Sequence, residues 1–237
     1  MDGSPQGKTA YFSEPYLSGG PDGQTYWTGE PSMPYDSYFA LCKAAKERDI
    51  RVFTHANGDA AIDMVLRAQE ELGTDRKDDL RNVLVHSQFV RSDQLDRYVE
   101  LGLVPSFFSS HTFFWGDAHV RNLGQERAHF ASPLATAEKK GLRAANHTDF
   151  GVTPLDPMFL LFTAVTRRSR SGQVIGPDER VSAYQALKLM TLDAAYMYGE
   201  EEHKGSLEAG KLADLVFLSE DPLAVKPEQI PEIEVLT

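Results

Sequence analysis

The sequence predicts an α/β fold that is built on a parallel β-sheet. Short apolar runs of strand length alternate along the chain with segments whose apolar residues recur at helical spacing. Strands that alternate with helices in this way form βαβ units, in which the strands run parallel to one another. The chain has 237 residues, of which 41% are hydrophobic and 25% are charged, and this composition is typical of a folded globular protein.

The first helix and strand are predicted to follow a long loop. Residues 1–34 are rich in Gly, Pro, Ser and Tyr and show no sustained periodicity, which is typical of a long loop. Apolar residues then fall at helical spacing over 35–45, with charged residues on the opposite face. The apolar run over 50–53 has the length of a buried strand and ends in Thr54 and His55.

The same unit repeats along the middle of the chain. Further helices are predicted over three segments, namely 59–72, 92–101 and 133–140. Further strands are predicted over three apolar runs, namely 82–85, 103–108 and 142–146. His86 follows the second strand directly, and the fourth strand leads into His147 and Asp149. The segment between the third strand and residue 133 is predicted as a loop.

Two more helices and a small β element are predicted in the last third of the chain. The helices cover 157–168 and 183–198, and residues 213–218 have the pattern of a strand. We therefore divide the chain into three regions, namely a loop at 1–34, an α/β region at 35–200 and a tail at 201–237.

Charge and cysteine content exclude several classes of protein. The net charge is −11, from 24 Lys and Arg against 35 Asp and Glu, whereas a nucleic-acid-binding protein needs a basic face. No apolar stretch approaches the roughly 18–20 residues of a membrane span. The N-terminus lacks a secretory pattern, and the single cysteine, Cys42, cannot form an internal disulfide. We therefore expect a cytoplasmic protein that binds neither nucleic acid nor membranes.

Three residues of metal-binding type stand at the ends of predicted strands. His55, His86 and Asp149 are separated by about one and about two βαβ units. The carboxyl ends of parallel strands form the face on which α/β barrels assemble their active sites. Imidazole and carboxylate groups are the ligands of a catalytic zinc or similar divalent ion. Each residue alone is more often structural, but their shared position in the repeat predicts a metal site.

Residues near this face are candidates for substrate contacts. His111 and Trp115 follow the third strand among other aromatic residues, as expected of a substrate-pocket wall. The alternative is that the aromatic side chains fill the core. Arg127 either orients a polar group of the substrate or forms a surface ion pair. We add His147, which follows the fourth strand, to these candidates.

Four motifs in this order resemble the amidohydrolase superfamily. They are THANGDAAID at 54–63, VLVHSQFV at 83–90, HTDFGVTPLDP at 147–157 and GSLEAGKLADLVFLSEDPL at 205–223. The opening DGSPQGKTA and the LGQER segment also resemble the subgroup related to N-substituted formamide deformylase. The resemblance runs over essentially the whole chain.

The resemblance implies a metal-dependent hydrolase with a distorted (β/α)8 TIM-like barrel. The chain would supply strands five to eight, with a tail that contributes a small β element to the accessory β-sandwich. His55 and His86 would be the metal ligands after strands five and six, and Asp149 the strand-eight aspartate that acts as general base. One or two divalent ions, with zinc as the expected metal, would activate water to cleave the carbon–nitrogen bond of a small amide or formamide.

The departures from the family pattern lead to a second set of expectations. The family's His-x-His pair and its strand-four ligand have no counterpart here, and Met1 resembles an internal residue of the pattern. His147 and Thr148 stand where small residues are usual, and Val85 where an acidic residue is common. We therefore expect the chain alone to be inactive, with its open sheet edges covered by an N-terminal half or a homo-oligomer partner. The alternative function is a catalytically inactive remnant, or one half of a split assembly, that acts as a binding module.

Overall fold

A parallel sheet forms the centre of the protein, which the computed structural model describes over residues 1–236. Within these residues four strands pair in the order β1-β2-β3-β4. Their bounds are Phe53–Ala56 for β1, Val83–His86 for β2, Val104–Phe107 for β3 and Ala145–Asn146 for β4. All three pairings between neighbouring strands are parallel. The predicted α/β fold with a parallel sheet is therefore confirmed.

Helices connect and follow these strands. Their bounds are α1 Tyr35–Lys46, α2 Asp59–Glu71, α3 Ser92–Leu101, α4 His111–Leu123, α5 Gln125–His129, α6 Leu134–Lys139, α7 Pro157–Thr166, α8 Ala183–Met190 and α9 Leu192–Tyr198. Short 3₁₀ turns lie at Arg76–Asp78, Pro177–Glu179 and Pro227–Glu232. None of the helices in the described part of the chain combines the length and the apolar character that a membrane crossing requires.

Local sequence explains several helix ends. The side chain of Asp156 accepts a hydrogen bond from the Phe159 amide, and Pro157, which has no amide hydrogen, occupies the first turn. Fewer backbone N–H groups at the start of α7 are therefore left without an acceptor. Gly102 ends α3 in the left-handed conformation with a φ of 66°, which glycine adopts without steric cost. The predicted ends of this helix at 92 and 101 agree with the structure.

The main core packs the helices against the sheet. Residues with essentially no exposure include Ala56 and Phe107 from the strands and Ile62, Leu95 and Leu161 from the helices. A second apolar cluster attaches the N-terminal segment to this core, with Phe12 and Tyr16 packed around Phe89 and Leu123. Residues 1–34 contain neither helix nor strand. The division of the chain into three regions stays a prediction.

Two predicted strands differ most from the structure, and the strand predicted over 142–146 is shorter, at Ala145–Asn146. The first begins at Phe53 and not at Ile50, because the Ile50 amide still donates to the Ala45 carbonyl and thereby closes the end of α1. The segment 213–218 forms no strand, because no neighbouring strand in the described residues pairs with it. An antiparallel bridge between Leu218 and Val235 takes its place.

Two helical predictions also need correction. The predicted loop after β3 contains α4 and α5, whose buried positions carry His111, Gly116 and His119 in place of aliphatic residues. The apolar pattern that normally reveals a helix is therefore weak there. The single helix predicted over 183–198 is two helices, because Thr191 adopts φ −122° and ψ −88° and breaks the helical path.

Candidate active site

Three histidines meet at the carboxyl end of the sheet. His55 lies in β1, His86 is the last residue of β2, and the His147 amide donates to the Phe107 carbonyl just beyond β4. The ring centroids are 4.7 Å apart for His55 and His86, and 5.0 Å apart for His86 and His147. These side chains meet because parallel strands end at one edge of a sheet.

Asp149 completes a cluster with two of these histidines. One candidate ligand atom from each of His86, His147 and Asp149 lies within 4.8 Å of the other two. The sequence grouped His86 and Asp149 with His55 and assigned His147 to the substrate. The structure instead brings His147 into the cluster, while the half-exposed ring of His55 lies beside His86.

Backbone conformation directs two of the cluster residues. His86 has a φ of 73° and Asp149 a φ of 51°, and such left-handed conformations are uncommon for residues with a side chain. Non-glycine residues held in this conformation concentrate at functional sites. The left-handed turn at the end of β2 contributes to the placement of the His86 ring between those of His55 and His147.

The cluster histidines are neutral at physiological pH. Burial, together with the neighbouring His147 and His55, lowers the pKa of His86 to about 3. Burial and His55 lower the pKa of His147 to about 4. Burial raises the pKa of Asp149, and His55 opposes that shift. Neutral imidazoles keep a free lone pair, which is the form that binds metal ions.

His147 is oriented from both sides. Its Nδ1 is hydrogen-bonded to the Ser106 hydroxyl at 2.9 Å, and its Nε2 is 3.2 Å from Nδ1 of His86. The Phe108 ring stacks on the His147 ring at a centroid distance of 5.3 Å. Partners of this kind fix the rotation and the tautomer of a histidine near a metal site. Ser106 lies in β3 and was not identified from the sequence.

Asp2 is a further residue that the sequence did not identify as part of the site. Its side chain is fully buried, and it accepts hydrogen bonds from the amides of Tyr11, Asn57 and Gly58 at 2.7–2.9 Å. One of its oxygens also lies 3.6 Å from Nδ1 of His55. The carboxylate therefore ties the N-terminal segment to the loop that follows β1. The available signal was the DGS sequence at 2–4.

His111 and His119 form a buried pair beside the cluster. Nδ1 of His111 is 2.7 Å from Nε2 of His119. The ring of Trp115 packs on His111 with centroids 4.4 Å apart. His111 is buried and Trp115 is partly exposed on the same helix α4, and their predicted contact with substrate stays a prediction.

The burial of His119 predicts that acid destabilises the protein. Burial lowers its pKa to about 3, below the ordinary 6.5, so that between these pH values the unfolded chain binds a proton that the folded chain does not. Stability therefore falls as the pH decreases through this window, by up to about 1.4 kcal/mol per pH unit for this group. We expect His119→Gln to flatten the pH dependence of the free energy of unfolding, measured by urea denaturation between about pH 4 and pH 8.

The matched control for this measurement is His203→Gln, because His203 is exposed. This variant should keep the slope of the parent protein. An identical slope in His119→Gln would contradict the prediction.

Arg127 has a structural set of partners. Its guanidinium donates to the backbone carbonyls of Leu123, Glu14 and Pro15. The residue also lines a cavity of about 640 Å³ together with Phe12, Phe89 and Arg91. The lining of this cavity does not include the histidines of the cluster. The structure thus shows no Arg127 donor directed at the cluster, and its predicted role toward substrate stays a prediction.

Comparison with known proteins gives a consistent set of relatives. The model of the amidohydrolase family matches residues 1–237. The chain is 30% identical to amidohydrolase YtcJ of Bacillus subtilis over 99% of this chain and 44% of that protein. It is 29% identical to N-substituted formamide deformylase of Arthrobacter pascens over 83% of this chain and 36% of that protein.

Solved structures agree with these relatives. An uncharacterised metal-dependent hydrolase from Pyrococcus furiosus superposes with a TM-score of 0.78 and 33% identity, over 94% of this chain and 43% of that one. A metal-dependent hydrolase from Pyrococcus horikoshii gives a TM-score of 0.81 and 26% identity, over 96% and 44%. The chain therefore spans less than half the length of these relatives. The resemblance inferred from the four motifs is confirmed, and the chain belongs to the amidohydrolase family.

Proposed function

We propose that this chain supplies the carboxyl-terminal half of the barrel of a metal-dependent hydrolase that cleaves the carbon–nitrogen bond of a small amide or formamide. The observation that carries the proposal is the convergence of His86, His147 and Asp149 at the carboxyl end of the sheet. The names of the relatives, which include a formamide deformylase and metal-dependent hydrolases, support the reaction class.

The donor set fits a divalent ion. Two neutral imidazoles and a carboxylate are the ligands that zinc, iron and manganese take in hydrolases, with zinc as our choice. His86 and Asp149 belong both to the set predicted from the sequence and to the set that the structure brings together. The third metal ligand is either His55 or His147. If both histidines bind metal, the site can hold one ion or two.

The residues of the chain have distinct tasks in this reaction. A bound divalent ion would lower the pKa of water and polarise the carbonyl group that is attacked. Asp149 would take the proton of the attacking water and pass it to the leaving nitrogen. A carboxylate beside the attacking water can serve as the general base in this exchange and then as the general acid. If His55 is the third ligand, His147 would instead hold the His86 ring in place through their 3.2 Å contact.

The sheet edges suggest what completes the barrel. β1 pairs with β2 alone, and β4 has two residues paired with β3, so that both edges carry unpaired backbone groups in the described residues. We expect an N-terminal half to cover them, since the relatives are more than twice as long as this chain. A second copy of the chain is the other candidate for covering these sheet edges. The cytoplasmic location stays a prediction.

Metal content is the test of this proposal. The protein is used in its longest natural form, and the metal is measured by inductively coupled plasma mass spectrometry after dialysis against zinc. We expect about one or two ions per chain, and His86→Ala should weaken zinc binding by at least about 100-fold because it removes a direct ligand. Comparison of His55→Ala with His147→Ala then identifies the third ligand as the one whose loss has the larger effect.

The matched control is His203→Ala, which removes an exposed histidine of the tail and should leave the metal content unchanged. Equal metal content in the parent protein and in His86→Ala would refute the proposal. A parent protein that retains no metal would favour the alternative of an inactive binding module.

A further inference from the structure

The pair formed by His111 and His119 has a feature that packing alone does not explain. The two residues are eight positions apart on α4 and are both buried. Their ring planes are almost parallel, at an angle of 2°, with Nδ1 of His111 and Nε2 of His119 at 2.7 Å. The remaining nitrogen of His119, Nδ1, is buried and has no hydrogen-bond partner among the described residues.

Both imidazoles are neutral, so each carries one proton. Burial and the nearby His119, His86 and His147 lower the pKa of His111 well below the ordinary value, and burial lowers that of His119 to about 3. A single proton therefore lies between the two facing nitrogens. Either His119 donates from Nε2, or His111 donates from Nδ1.

The unpartnered nitrogen distinguishes these two arrangements. If His111 donated, Nε2 of His119 would accept, and the proton of His119 would lie on Nδ1 as a buried N–H without an acceptor. Orphaned buried N–H groups are rare in proteins. If His119 donates instead, its Nδ1 is an unprotonated nitrogen that needs no acceptor. The second arrangement leaves the proton of His111 on Nε2, the nitrogen that does not face His119.

The surroundings of His111 place it beside the candidate active site. The Phe108 ring lies 5.1 Å from the His111 ring and 5.3 Å from the His147 ring. Phe108 is therefore a neighbour of both His111 and His147, and the Trp115 ring also packs on His111. A neutral donor beside aromatic walls suits an uncharged acceptor, because a buried anion would need a compensating positive charge.

On the basis of the proposed amide hydrolysis, we propose that His111 donates a hydrogen bond from Nε2 to an uncharged carbonyl oxygen of the substrate, and that His119 is the positioning residue that fixes this tautomer. His111 is then a catalytic residue in the sense that it contacts substrate. A donor prepared in advance near a developing negative charge contributes strongly to catalysis, since it needs no reorganisation during the reaction.

The tautomers are measured directly by NMR on the protein labelled with ¹⁵N at histidine. We expect His111 to have a protonated Nε2 and an unprotonated Nδ1, and His119 to show the same pattern. The variants His111→Gln and His119→Gln assign the signals. A protonated Nδ1 on His111 would overturn the proposal, whether or not the protein hydrolyses any amide.

Kinetics of the protein in its longest natural form, with N-phenylformamide as the probe, test the contact with substrate. His111→Phe should lower kcat/KM by about 100-fold, as expected for the loss of one preorganised donor. His111→Gln keeps an amide N–H and should recover activity to within about 10-fold of the parent protein. His119→Phe should lower kcat, whereas His119→Gln should restore it because the glutamine amide can still donate to Nδ1 of His111. Parent-like kcat/KM in His111→Phe would overturn the proposal.

The two proposals fail in distinguishable ways. If the parent protein binds no metal and does not cleave the probe, the hydrolase proposal fails, and the tautomer of His111 is still read from the spectrum. In that case the addition of N-phenylformamide should shift the Nε2 resonance of His111 if the donor site binds carbonyl groups, and an unchanged resonance would overturn the inference about His111.

Discussion

Replacement of Asp2 by alanine is expected to lower the free energy of unfolding by about 3–5 kcal/mol. The buried carboxylate accepts three backbone hydrogen bonds, from Tyr11, Asn57 and Gly58. Hydrogen bonds to a charged acceptor are about twice as strong as neutral ones. In Asp2→Ala the three amides lose their acceptor, and each buried N–H left without a partner costs about 1–3 kcal/mol.

The same change should act on the candidate site. The loop that holds Asn57 and Gly58 follows directly after His55, so that the loss of Asp2 releases the end of β1. We expect Asp2→Asn to have a smaller effect on stability than Asp2→Ala, because the amide retains one acceptor oxygen. Urea denaturation followed by circular dichroism measures both variants.

Asp22 provides the control in the same N-terminal segment. Its side chain is exposed, and Asp22→Ala should change the free energy of unfolding by less than about 0.5 kcal/mol. A similarly small change in Asp2→Ala would show that the buried carboxylate does not stabilise the fold as described.

Replacement of Arg167 by leucine should lower the free energy of unfolding by a similar amount, about 3–5 kcal/mol. Arg167 is fully buried, and its guanidinium donates to the carbonyls of Ile175, Ser132 and Ala131 at 2.6–3.0 Å. Burial lowers its pKa to about 10, which leaves it charged at neutral pH. Leucine fills part of the space but leaves the three carbonyls without donors.

Arg168 is the matched control, because it is the next residue and lies at the surface. Its guanidinium forms an ion pair with Glu228 at 3.0 Å, with both side chains about half exposed. Exposed ion pairs contribute about 0–1 kcal/mol, so Arg168→Leu should be close to the parent protein. Equal losses of stability in the two leucine variants would contradict the conclusion that the hydrogen bonds of Arg167 stabilise the fold.

The positions that the sequence predicted well are those governed by local spacing. The helices at 59–72 and 92–101 agree with α2 and α3, since apolar periodicity and a terminal glycine act over a few residues. The prediction of a loop after β3 was wrong because polar residues, more than apolar ones, occupy the buried face of a helix there. The helix α4 buries His111 and His119, and the pattern of polar residues there resembles a loop although the helix face is buried.

The sequence by itself determined that His55, His86 and Asp149 come at the carboxyl end of one parallel sheet. This follows from topology, because parallel strands joined by helices end at the same edge. The spacing of residues along the chain does not predict which way their side chains point at that edge. The left-handed backbone at His86 and Asp149 and the hydrogen bond between Ser106 and His147 are visible only in the folded structure.

Only the tertiary structure decided which of these groups meet. It brought His147 into the cluster with His86 and Asp149, joined His111 to His119, and gave Arg127 backbone carbonyls as partners. Each of these contacts depends on the three-dimensional position of a buried polar group, which must find a partner wherever the fold offers one. Hydrophobic periodicity indicates which faces of the helices and strands are buried, whereas tertiary packing determines which polar groups pair.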